Sequence, residues 1–136
     1  MKKVLLTLLL VCMVLPMAVS AAPRSPFNGL WRGTDLDSSR IQLSIAGGGR
    51  GIFRLTWTDD NWGLCGGNPG IGRGVGSLDT GEPNILRTDW VVTCTSQHES
   101  WTEDDPPLSS FDLDPVYDAG TETLLFQAVQ FFPVRP

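Results

Sequence analysis

Residues 85–96 read ILRTDWVVTCTS, and this stretch decides the fold class. Leu86, Thr88, Trp90, Val92 and Cys94 fall on one face, whereas Arg87, Asp89, Thr93 and Thr95 fall on the other. A period of two with one apolar face is what a half-buried β-strand requires. The same alternation recurs on either side. Arg40–Ala46 sets Ile41, Leu43 and Ile45 against Gln42 and Ser44, and Phe53, Leu55 and Trp57 alternate with Arg54, Thr56 and Thr58. The intervening GGGRG of Gly47–Gly51 turns the chain, so these two strands form a hairpin. Asn28–Thr34, NGLWRGT, is a first strand with Gly29, Trp31 and Gly33 on one side, and Asp35–Ser39 closes a turn after it. Beyond the N-terminal segment no stretch shows a helical period. The expectation is an all-β domain: a single antiparallel β-barrel or sandwich of about seven or eight strands, mostly up-and-down.

The N-terminal segment has a different character. Met1-Lys2-Lys3 precedes an apolar run, Val4–Val19, broken only by Thr7 and Pro16 and followed by Ser20-Ala21-Ala22. A charged start, an apolar middle and a small-residue exit describe a secretory signal peptide. A transmembrane anchor wants about 20 apolar residues with suitable flanks, which Pro16 and the small exit do not supply. Residues 1–22 are therefore expected to be the signal peptide and 23–136 a single secreted β-domain, extracellular or periplasmic, with no membrane span in the mature chain. The leader takes away both lysines, leaving eight arginines against fifteen acidic residues. So acidic a surface repels nucleic acid and anionic membranes. Cys12 also leaves, and the remaining pair in an oxidising compartment predicts a Cys65–Cys94 disulfide. A metal or redox pair would want a CxxC, which is absent.

Asp59–Leu78, DDNWGLCGGNPGIGRGVGSL, is the least ordinary part of the chain. It holds no GxGxxG, and a Walker loop needs a lysine, so its glycines do not cradle phosphate. Gly70, Gly72, Gly74 and Gly76 stand at every second position and would leave one face of a strand bare for large rings to approach. Asp59–Gly70 and the acidic Gln97–Pro107, QHESWTEDDPP, read as loops. His98 with Glu99 and Glu103 has no known ligand spacing, and the DxDxS of Asp35–Ser39 begins like a calcium loop but lacks the glycine and distal glutamate of an EF-hand. The scattered carboxylates carry no geometric information. No catalytic residue, metal or cofactor is expected.

Toward the C-terminus, Ser110–Leu113 and Val116–Tyr117 are short strand pieces, Asp118–Thr121 is a turn, and Glu122–Phe132 is a final strand. Its core, Leu124–Phe132 (LLFQAVQFF), is apolar on both faces. It would be covered on both sides or close a barrel against the first strand, and as an exposed edge it would support self-association.

Two local resemblances accompany these patterns. GLWRGTDLDSS and VYDAGTETL resemble the opening and closing strands of small secreted bacterial β-domains with a G-x-W-x-G-T-D-x-D start, which implies a fold and no activity. LRTDWVVT with Trp101 after it resembles a late strand of avidin-like barrels, and by that resemblance Trp90 and Trp101 would wall a ligand pocket. Together with Trp62, Asp60 and Asn61 they form the expected ligand-binding set. Loop aromatics flanked by polar groups suit flat ligands, sugars or protein partners. The expected function is a non-catalytic secreted β-domain that binds a small ligand, glycan or secreted protein at one barrel end. Inhibition of a secreted protease, or a structural, self-assembling role in the cell envelope, are the alternatives.

Overall fold

The computed structural model describes residues 25–95, 100–105, 108 and 113–135. The signal peptide expected at 1–22, His98, Glu99 and the strand piece expected from Ser110 lie outside these residues, apart from Leu113. The described residues form nine strands: β1 (Gly29–Thr34), β2 (Arg40–Gly47), β3 (Ile52–Trp62), β4 (Asn68–Leu78), β5 (Leu86–Cys94), β6 (Ser100–Thr102), β7 (Val116–Asp118), β8 (Thr123–Phe126) and β9 (Val129–Pro133). They form one antiparallel sheet in the order β6-β5-β4-β3-β2-β1-β9-β8-β7, curled into a half-barrel. No helix among the described residues is long and apolar enough to cross a membrane.

Nine strands replace the seven or eight expected, for two local reasons. Trp101 lies on the short strand β6 and not in an open loop, because Val91–Thr93 of β5 offers it a ladder. The single final strand expected over Glu122–Phe132 is two strands. Gln127 and Ala128 both take positive φ (53° and 59°), the conformation that a two-residue hairpin demands at its two central positions. The uncharged run therefore folds back on itself, burying Leu124, Phe126 and Phe131 while Leu125 and Phe132 face outward. β9 also pairs with β1 through Trp31–Pro133 and Arg32–Phe132, so it is covered on both edges.

The two ends of the curled sheet meet at β5. Ile85 bridges Val116, the Leu86 N–H donates to the Pro115 carbonyl and the Tyr117 N–H to that of Asn84. Farther along, the Thr88 hydroxyl and the Trp90 indole N–H both donate to the Leu113 carbonyl, at 2.8 and 3.1 Å. The first half of β5 is thus closed by the 113–116 segment and its second half by β6.

Pairing register sorts the inward side chains into rows. One runs Trp31, Leu43, Trp57, Gly72, Val92, Trp101 across six strands; the next toward the barrel end runs Gly33, Ile41, Asp59, Gly70, Cys94. β4 contributes only glycine to the interior at its centre, and rings from its neighbours take up the space. A Cβ on Gly74 would lie 2.9 Å from the Trp90 ring, and one on Gly70 would lie 2.2 Å from the Trp62 ring. Trp57 meets Trp62, Phe126 and Trp90 at centroid separations of 3.9, 5.0 and 6.0 Å. The alternate glycines are packing devices, as their spacing predicts.

Candidate functional site at the barrel end

The barrel end next to the disulfide is built by the Asp35–Ser39 turn, the end of β3 and the 3-10 turn Gly63–Cys65. Continuing the inward parity of Phe53, Leu55 and Trp57 carries Asp59 into the interior, where it is 3 % exposed. Its Oδ1 accepts from the Ser39 hydroxyl at 3.2 Å and from the Asn61 N–H at 3.0 Å. The Asn61 side-chain amide donates in turn to the Asp37 carboxylate, whose other oxygen accepts from the Ser39 N–H at 2.8 Å. Burial, the largest influence, raises the Asp59 carboxyl above its usual range; Asp35 and Asp37 add to this, and the Asn61 and Ser39 hydrogen bonds oppose it. Asp37 shifts the other way, held low chiefly by its hydrogen bond from the Ser39 backbone N–H.

Between Asp59 and Trp62 the register with β4 slips. Such a bulge adds residues on one strand and reverses which side the next side chain faces. Asp60 is outward by ordinary alternation, and the bulge turns Asn61 outward as well, so that Trp62 points inward with 4 % exposure. The Asp59–Gly70 segment expected as a loop is therefore strand at both ends, joined by a tight 3-10 connection. The Cys65–Cys94 bond ties this connection to the end of β5, with Cα atoms 5.3 Å apart. The Asn68 amide donates to the Cys65 carbonyl and pins it further.

The expected site residues separate into two groups. Trp62 and Trp90 are interior rings, Trp62 covering Gly70 and stacked on Trp57, and Trp90 held over Gly74 with its indole N–H on the Thr88 hydroxyl at 2.8 Å. Neither ring offers a face to solvent, in contrast to the loop setting expected for Trp62. Asp60 and Asn61 do lie at the surface. Trp101 is half-buried against the core, opposite Val92. Its indole nitrogen and the Oε2 of Glu103 are buried and have no hydrogen-bond partner among the described residues. Burial, then Asp89 and Asp114, raise the Glu103 carboxyl. Asp37, Ser39 and Asp59 belong to the network without having been singled out as ligand contacts; for Asp59 the signal was present in the β3 alternation.

This arrangement supplies hydrogen-bond acceptors and amides on a rigid frame. Among the described residues no group of three or more His, Cys, Asp or Glu side chains is placed to hold a metal ion. No family model, curated protein or solved structure matches the chain.

Proposed function

We propose that this is an exported, non-catalytic binding module whose ligand, a glycan or a secreted protein, docks on the barrel end around Asp37, Asp60 and Asn61. The supporting observation is the division of labour at that end. Trp62, Trp57 and Trp90 occupy the interior, so recognition passes to the polar groups exposed at the bulge and the turn beside it. The disulfide and the Asp37–Asn61–Asp59–Ser39 network hold those groups in place before a ligand arrives, which lowers the ordering cost of binding. Hydrogen-bonding groups in place of exposed rings favour a sugar or a protein backbone over a flat apolar molecule.

Thermal-shift measurements on the oxidised protein against neutral and acidic oligosaccharides, calcium and secreted proteases test this reading. A probe at about 100 times its dissociation constant adds about 2.7 kcal/mol, a rise of several degrees in Tm that Asp60→Ala combined with Asn61→Ala abolishes. No shift with any probe, or a shift that the double variant keeps, overturns it. In the protease arm, loss of substrate cleavage would identify the ligand class as a proteinase.

A further inference from the structure

Outward from the barrel end, the surface over β1, β8 and β9 has a composition the proposed binding reading does not use. Among the described residues eight large apolar side chains are exposed, and four of them, Leu30, Leu36, Leu125 and Phe132, stand on these three strands and the turn that follows β1. The β1–β9 ladder stops at Arg32–Phe132, and beyond it β9 stays close to Gly33, where an added Cβ would lie 2.8 Å from the Val129 side chain. A groove of about 380 Å³ opens there, lined among others by Arg32, Asp35, Leu36, Val129 and Phe132. Leu36 projects from the turn beside it with its side chain wholly outside the molecule, and Phe132 is 57 % exposed. Clustered apolar exposure of this kind marks an interaction surface, whereas single exposed residues do not.

The charges on the groove indicate what covers it. Arg32 and Asp35 line the same groove with opposite sign, yet neither forms an ion pair among the described residues; the Asp35 carboxylate accepts the Leu36 N–H of its own turn. A surface holding a knob, a groove and one unpaired charge of each sign is complementary to itself under a two-fold rotation, which sets each arginine against the other copy's aspartate. We infer that two copies of the chain pair through this face, each seating Leu36 against the Val129 and Phe132 wall of the other. The charges argue for a second copy over a lipid surface, which would match only one sign.

Sedimentation velocity of the oxidised protein over a concentration series tests the inference. The expected result is a monomer–dimer equilibrium in which Leu36→Asp raises the dissociation constant at least about tenfold, the effect of losing an interface anchor worth about 1.4 kcal/mol. Arg32→Glu, which sets like charges together, weakens it as well. Val75→Glu, exposed on β4 three strands away, leaves it unchanged. A monomer at every concentration, or a dimer indifferent to Leu36→Asp and Arg32→Glu, overturns the inference. Because all three side chains are exposed, unchanged far-ultraviolet circular dichroism confirms that the variants are folded.

Discussion

At the scale of single residues, the glycines of β4 have unequal duties. A Cβ on Gly70 or Gly74 meets a tryptophan ring that is itself wedged among other rings, so it cannot be accommodated by a small shift. Gly74→Ala is expected to cost about 1–3 kcal/mol, the range for overpacking a close-packed core, read as a lower denaturation midpoint at unchanged slope. Gly49→Ala, where nothing lies within 4 Å of the added carbon, is the matched control and stays within about 0.5 kcal/mol of the parent. Asp59 makes a second residue-scale prediction. Its folded carboxyl is raised above the ordinary 3.8, so its contribution is present in full below that value and is lost as pH rises through the folded one. Asp79 has the opposite sign: the Arg87 hydrogen bond, the largest cause, lowers it to about 2, and its contribution disappears as pH falls from 3.8 toward that value. Asp59→Asn, which keeps an acceptor for Ser39 and Asn61, should therefore melt at or above the parent at neutral pH. The gap should close on acidification toward about pH 4, as melting curves over that interval would reveal; a gap that widens there contradicts the assignment.

At the scale of elements, the β8–β9 hairpin works against its own sequence. Its two central residues, Gln127 and Ala128, adopt left-handed conformations that cost side-chain-bearing residues about 1–2 kcal/mol each. The packing of Phe126 and Phe131, ring centroids 6.0 Å apart, together with Leu124 outweighs that cost. Replacing the pair by Asn-Gly, which favours this turn, is expected to stabilise the domain by about 1 kcal/mol, measured as a rise in denaturation midpoint; a fall would show that the turn needs its present side chains. This conflict between turn and sequence also explains why the element could not be read in advance. Nothing in Gln127-Ala128 signals a hairpin, and an unbroken apolar run looks like one long strand. The bulge after Asp59 is a second silent element, since strict alternation predicts an exposed Trp62 and one extra residue reverses it. The disulfide restrains the segment that follows. Closing a loop with a separation of 29 residues contributes on the order of 3–4 kcal/mol in the chain-entropy account.

For the whole molecule, what could be read from the chain were the features that repeat: one-face strands, alternate glycines opposite bulky rings, and the cysteine pair. Their periodicity follows from sheet geometry and survives any choice of neighbours. Pairing order, closure at β5 and the assembly of Asp37, Ser39, Asp59 and Asn61 depend on residues distant in sequence meeting in space, 24 positions apart for Asn61 and Asp37 and 25 for Thr88 and Leu113, which no local pattern encodes. Of the expected site, Asp60 and Asn61 are exposed, Trp101 is half-buried, and Trp62 and Trp90 lie inside, because aromaticity in this fold mainly serves the interior. That interior has an optical consequence. The Trp57 and Trp62 indoles lie 3.9 Å apart, close enough for their electronic transitions to couple, and a Cβ on Gly70 would touch both the Trp62 ring and the Cys65 sulfur, which places the disulfide beside that ring. Coupled indoles give a paired, oppositely signed band in circular dichroism, and a neighbouring disulfide drains the excited state. The native chain is thus expected to be dim and strongly chiral in the ultraviolet and to brighten as it unfolds, which emission and circular dichroism followed through a denaturant titration would check.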